Sequence, residues 1–219
     1  MLNPVADVNS PARRRYRSSL RAGLAEQTRS AVVRAALAEF LARGYAGATV
    51  DRIAERAGVS RPTVFAVGPK ATLMKLARDR AIAGDDDPHA ITERPNFALI
   101  AEAPDAESAL RAYAAISAEI LGRFADLNEV LRQGAAIDPA LADLWRVSEQ
   151  ERLVGAAGVV RTLTRQGRLR DGLSVGDAAD VLWVLTAPEQ YHRMTRDRGW
   201  THERWAGWYA DSVVRLLLG

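Results

Sequence analysis

The segment from Thr49 to Phe65, Thr-Val-Asp-Arg-Ile-Ala-Glu-Arg-Ala-Gly-Val-Ser-Arg-Pro-Thr-Val-Phe, constrains this chain more than any other. The Thr49 hydroxyl can accept from an orphan backbone N–H, so Thr49 reads as a helix N-cap. Val50, Ile53 and Ala54 fall on one face of the helix that follows. Gly58 supplies a turn at positive φ, a conformation that excludes most other residues. Val59 plugs the angle, Ser60 caps a second helix, and Pro62 fits its first turn, where a missing N–H costs nothing. A helix, a tight turn and a second helix that opens on polar and basic side chains is the layout of a DNA-reading helix-turn-helix.

The flanks extend this pattern. From Glu26 to Arg43, Val32, Val33, Ala36, Leu37, Phe40 and Leu41 share one helical face, and Gly44 stops the helix. Tyr45 reads as a plug between helices. A further helix is expected from about Lys70 to Ile82, ended by Gly84 and Asp85-Asp86-Asp87-Pro88. Residues 1–25 carry Pro4, Pro11 and the cluster Arg13, Arg14, Arg15, Arg17 and Arg21 with little apolar periodicity, which predicts a disordered basic arm. Such an arm either follows phosphates or a minor groove, or is a solvated tail.

Downstream the spacing is helical and no convincing alternating strand occurs. Helices are expected over 106–125, 127–135, 139–166, 175–197 and 202–218. Asp138 before Pro139, Ser174 with Asp177, and Thr201 are the caps, and Pro188 should kink or break its helix. The fold class is therefore all-α. The division is 1–25, basic arm; 26–84, three-helix helix-turn-helix DNA-binding domain; 85–219, a second helical domain.

Charge supports this division. The chain of 219 residues has a net charge of +3, but residues 1–80 hold 15 Lys and Arg against 6 Asp and Glu, while the remainder holds 15 against 21. A basic head on an acidic body is the footprint of a nucleic-acid-binding domain joined to something else. With no cysteine, disulfides and thiolate metal sites are excluded, and a reducing cytoplasm fits best. No apolar run approaches the ~18 residues of a membrane span, and the N-terminus lacks a secretory pattern.

The stretch 29–76 resembles the DNA-binding domain of the TetR family of bacterial transcriptional regulators. Ala36-Leu37-Ala38-Glu39-Phe40, Arg43-Gly44-Tyr45, Ala48-Thr49-Val50 with Ile53-Ala54, Gly58-Val59-Ser60 with Thr63-Val64-Phe65, and Lys70 with Leu73 carry the resemblance. It implies a dimeric regulator whose second domain binds a small molecule and dimerises. There are two departures: Phe65 stands where the family usually has a phosphate-contacting tyrosine, and the link Ala66-Val67-Gly68-Pro69 is one residue short.

The expected reading head is the helix from Ser60 to about Val67. Arg61 can hold a guanine edge, Pro62 and Thr63 are placed for base-edge or methyl contacts, and the Phe65 ring can pack on sugar or a thymine methyl. Thr49, Ser60 and Lys70 hold phosphates, or, for the first two, act as caps alone. One such helix reads too few bases, so a homodimer on a palindromic operator of double-stranded DNA is expected. Trp205, Trp208, Tyr209, Val213, Leu216 and Leu217 form an apolar stripe for that dimer, or else for burial within the monomer. The resemblance implies a pocket for a small-molecule effector; Tyr113, Phe124, Trp145, Trp183 and Tyr191 are candidates for it, or ordinary core.

The expected function is a sequence-specific regulator, a repressor released from its operator by a ligand. The alternatives are a non-specific DNA-binding protein and a ligand-binding module with a weakened head. Catalysis has little support: Glu189 and His192 are spaced like half of a helical metal motif without a second half, His89 sits in an acidic loop, and no nucleotide or nucleophile motif appears. No cofactor is implied.

Overall fold

The computed structural model describes residues 11–84, 95–167 and 169–219, with the side chains of residues 11–22, 95 and 96 outside that description. Among the described residues the regular elements are helical: α1 (Pro11–Gly47), α2 (Val50–Ala57), α3 (Arg61–Val67), α4 (Lys70–Ala83), α5 (Pro95–Ala101), α6 (Ala106–Ala135), α7 (Pro139–Gln166), α8 (Val175–Leu185), α9 (Pro188–His192), a π-helical turn (Arg193–Asp197) and α10 (His202–Leu217). None is long and apolar enough to cross a membrane.

Three sequence expectations need correction. First, α1 begins at Pro11, so the arm expected to be disordered is helical from that residue on; residues 1–10 lie outside the described residues. The Arg, Ala, Leu, Glu and Gln residues of this stretch have high helix propensity, and they extend a helix whose later turns are anchored by packing. Second, the expected helices 106–125 and 127–135 are one helix, α6, of 30 residues. Neither Gly nor Pro separates them. Asp126, at the supposed break, is a mid-helix carboxylate paired with Arg196 and His192. Third, α5 is a helix that no periodicity announced; it is a single short element of seven residues.

Other boundaries follow local rules visible in the sequence. Helical dihedrals fail at Gly44 (φ 68°, ψ 176°), the expected stop. Asp138 and Ser174 accept from backbone N–H groups at the starts of α7 and α8, and Thr201 does so at the start of α10. Pro188 breaks the 175–197 pattern: Ala187 is extended (φ −63°, ψ 125°), the conformation that a following proline imposes.

Two buried clusters form the interior. One joins α5, α6, α7, α8, α9 and α10 around Leu110, Leu121, Val160, Leu182 and Trp205. The other lies under α1 to α4 around Phe40, Ile53, Val64, Leu73 and Met74, and is completed by Phe124, Leu127 and Leu131 of α6 and Leu141 of α7. Helix α6, about 45 Å long at ~1.5 Å per residue, therefore belongs to both. Its C-terminal half passes close to α1: a Cβ on Gly134 would lie 2.4 Å from Leu141 Cδ2 and 3.2 Å from Tyr45 Cβ. A side chain there would require the buried Leu141 side chain to shift and would press on Tyr45.

Candidate nucleic-acid interface and ligand cavity

The reading head is assembled by local caps. Thr49 Oγ1 accepts from the Arg52 amide at 3.3 Å and starts α2. Gly58 ends it in the left-handed region (φ 67°, ψ 30°), and the Val59 amide returns to the Ala54 carbonyl at 3.0 Å. Ser60 Oγ accepts from the Thr63 amide at 3.4 Å and shares a 2.8 Å hydrogen bond with the Thr63 hydroxyl. Val64 is fully buried, which seats α3 on the core. Arg61, Pro62 and Phe65 are exposed on the other side.

An exposed phenylalanine on a basic helix contributes little to the core; Phe65 is 53% exposed. Its ring centroid lies 5.9 Å from the Arg61 guanidinium carbon, within cation–π reach. Arg61 Nε also meets Asp51 Oδ1 at 3.1 Å, with both side chains more than half exposed. Solvent weakens such a pair, so the guanidinium can exchange it for another acceptor.

Two features missed in the sequence hold this head in place. Glu39 is buried in α1 and accepts from Arg56 Nε of α2 at 2.7 Å and from Arg43 Nε at 3.2 Å. Its bond to Arg56 keeps its carboxyl below the usual carboxylate range, against the opposing pull of desolvation. The signal was present: Glu39 interrupts an apolar face four residues before Arg43. Second, the Tyr45 hydroxyl donates to Asp138 Oδ2, the N-cap carboxylate of α7, and ties the end of α1 to the start of α7. Burial, then that bond, pushes the Tyr45 hydroxyl pKa up, while the bond holds Asp138 down.

Lys70 sits where these elements meet. Its ammonium lies 4.2 Å from the Tyr45 ring centroid, and desolvation lowers its pKa while the Asp138 charge opposes that shift. It opens α4, whose N-cap Pro69 offers no side-chain acceptor. Orphan N–H groups beside an ammonium suit an anion.

Above the head, a cavity of about 540 Å³ opens among α4, α5, α6, α7 and the α8–α9 junction. Ile82, Phe97, Ile100, Leu121 and Val159 give it an apolar wall, with Arg78, Glu151 and Arg152 as its charged members among the described residues. Tyr113 and Phe124, two of the five pocket candidates, line it. Tyr113 is half-buried, and desolvation raises the pKa of its hydroxyl; Ser117 and Thr186 line the cavity with it. The other three candidates do not converge there. Trp145 and Trp183 border a separate recess of about 430 Å³ between α7 and α8, where the Arg152 guanidinium lies 5.5 Å from the Trp183 ring centroid. Tyr191 points into the core, edge-on to Trp205 at 4.9 Å, with its hydroxyl 3.0 Å from His202 Nδ1. All five are apolar-face residues, but helical phase sends them to different sides of α6, α7, α8 and α9. Arg78, Glu151, Ser117 and Thr186 carried no motif that could have singled them out.

Comparison with known proteins agrees with this geometry. Residues 32–66 match the profile of the family described as bacterial regulatory proteins, tetR family. That match covers α2 and most of α3, the helix-turn-helix, and the end of α1. No curated protein sequence matches it. Among solved structures it resembles a protein assigned to the TetR-family transcriptional regulators of Rhodococcus sp., with a TM-score of 0.67 at 16% identity over 88% of this chain and 99% of that one. A protein assigned as a transcriptional regulator of Saccharomonospora viridis, solved with choline, gives 0.67 at 17% identity over 89% and 99%. NalD, the secondary repressor of the MexAB-OprM multidrug efflux pump in Pseudomonas aeruginosa, gives 0.62 at 18% identity over 88% and 97%. The TetR-like fold thus spans most of the chain, beyond the matched head.

The apolar stripe of α10 is divided. Trp205, Tyr209, Val213 and Leu217 are fully buried within the chain, so these four are not available to a partner. They repeat every four residues along the face that packs on α6. Trp205 stacks on Tyr209 at 4.9 Å and 15°. Trp208 and Leu216 lie on the outer face, 36% and 39% exposed. Glu189 and His192 also separate: Glu189 accepts from Asn128 and His192 meets Asp126, so the half-motif gathers no common centre. His89 lies outside the described residues.

Proposed function

We propose that this chain is a cytoplasmic, sequence-specific DNA-binding transcriptional repressor, a homodimer released from a palindromic operator by a small-molecule ligand. The observation that carries this reading is the outer face of α3, where Arg61, Pro62 and Phe65 are exposed on a capped helix that buries only Val64. Arg61 would read a guanine edge in the major groove, with Pro62 and Thr63 on neighbouring base edges and Phe65 on sugar or a thymine methyl. Thr49, Ser60 and Lys70 would hold phosphates and fix register.

Residues 26–84 serve as the reading head in this proposal, and 85–219 as the ligand-binding and dimerisation body. Trp208 and Leu216 on the outer face of α10 supply the exposed apolar surface that a two-fold contact needs. The cavity with Tyr113 and Phe124 takes the effector, and its volume lies in the usual range for small-molecule sites. Structurally similar proteins include a repressor and a choline complex. The effector acts only through its different affinity for the operator-bound and free conformations.

Selection of binding sites from random duplex DNA tests this, with the native chain beside Arg61→Ala and Thr63→Ala. A palindrome that both substitutions weaken or relax is the expected result. Salt-sensitive binding without a motif, unchanged by either substitution, would overturn it in favour of a non-specific binder. Absence of any binding would leave a ligand-binding module.

A further inference from the structure

Among the described residues, the cavity has a charged group that its surroundings leave incompletely matched. Arg78, on α4, has a side chain only 9% exposed. Its Nη1 donates to Asp79 at 3.0 Å and its Nη2 to Glu151 at 2.5 Å, while Nε is buried with no hydrogen-bond partner among the described residues. The Glu151 side chain is 56% exposed. Both Arg78 and Glu151 line the cavity, and most of the remaining wall is aliphatic or aromatic.

The unequal exposure decides which charge a ligand should carry. An anion that takes the place of Glu151 leaves Arg78 paired and releases Glu151 toward water, where a carboxylate is well solvated. A cation that captures Glu151 leaves the buried guanidinium with Asp79 as its carboxylate partner and its Nη2 unpaired, which costs more than releasing the exposed Glu151 to water. The second arginine of the wall, Arg152, is already engaged by Glu149 at 2.7 Å and by the Trp183 carbonyl at 2.7 Å. Arg78 is therefore the group with an exchangeable partner.

We propose that the cavity takes an amphipathic organic acid, with its carboxylate on Arg78 in place of Glu151 and its apolar tail along Ile82, Phe97, Ile100 and Leu121. This rests on the reading of the cavity as an effector site. A guanidinium can hold a carboxylate through two parallel N–H···O bonds, so both the geometry and the charge favour this head group. The exchange also unties α4 from α7. Helix α4 packs on α1 of the head as well as on α6 and α7, so loosening its tie to α7 alters the support of the head on the body.

Calorimetric titration of the full chain, without DNA, uses decanoate, 1-decanol and decyltrimethylammonium as probes of one tail length. Decanoate should bind about tenfold or more tighter than decanol, the factor expected when a charge-assisted bond replaces a neutral one. Glu151→Gln should tighten decanoate and leave decanol unchanged. Arg78→Gln should remove the preference for decanoate. Glu151 is exposed, so its variant keeps the test decisive even if Arg78→Gln does not fold. Equal affinity for the three probes, preference for the cationic probe, no binding of any, or an indifferent Glu151→Gln would each overturn the proposal. Because no DNA is present, selective decanoate binding stands even if site selection yields no operator motif, and an operator motif stands even if decanoate fails to bind.

Discussion

Helices α3 and α10 offered the same kind of signal, a run of side chains whose character demands a partner, and they met opposite fates. In α3 the polar and aromatic side chains stay outside, and Val64 alone anchors the helix. In α10 the aromatic stripe turns inward: Trp205 and Tyr209 are among the largest fully buried side chains of the chain. The difference lies in length and support. A seven-residue helix held by caps and a glycine turn needs little core of its own. A 16-residue helix laid along α6 has a whole face to cover, and covers it within the chain.

The comparison can be broken most decisively at Trp205. Trp205→Ala removes a buried indole stacked on Tyr209, and should cost ~3–5 kcal/mol of folding stability in urea or thermal unfolding. A loss below about 1 kcal/mol, the range of surface substitutions, would mean that α10 is not part of the core. The converse holds at Arg61. Arg61→Ala should weaken operator binding by ~1–3 kcal/mol, read by titration against the selected site. Its unfolding midpoint should stay near that of the native chain, because the Asp51 pair is exposed on both sides.

Glu39 sharpens the comparison from the scaffold beneath α3. Arg56 depresses the folded-state pKa of this carboxylate, and the unfolded chain titrates near ~4.3. Its contribution is therefore present above that value and is lost as pH falls through the folded-state value. Glu39→Gln should be less stable than the native chain at neutral pH, and the gap should close as the pH is lowered below about 4. A gap that stays constant with pH would show that packing, and not the ionised carboxylate, holds α1 to α2. The smallest effect on the fold is expected at Trp208. Trp208→Ala should change stability by about 0.5 kcal/mol or less when measured on monomer, yet shift the monomer–dimer equilibrium in sedimentation. An unchanged dimer would remove the outer face of α10 from the interface.

The head was readable because its determinants lie close together in the chain. Thr49, Gly58, Ser60 and Pro62 each act on backbone groups within a few residues, and the structure shows each cap and turn at the expected position. The cavity was only half readable. Of five aromatic candidates on the middle helices, Tyr113 and Phe124 line one cavity, Trp145 and Trp183 border a separate recess, and Tyr191 packs in the core. Arg78 and Glu151, 73 positions apart, could be joined only by folding.

The sequence by itself determined the all-helical class, the helix-turn-helix and most helix boundaries, because caps, glycine turns and proline breaks are short-range effects of the backbone. Tertiary structure decided that two expected helices fuse into α6, that one face of α10 is spent inside the chain, and that a buried arginine meets an exposed glutamate at a cavity. Periodicity reports that a face is apolar. What covers that face depends on elements remote in the chain, and only their packing selects it.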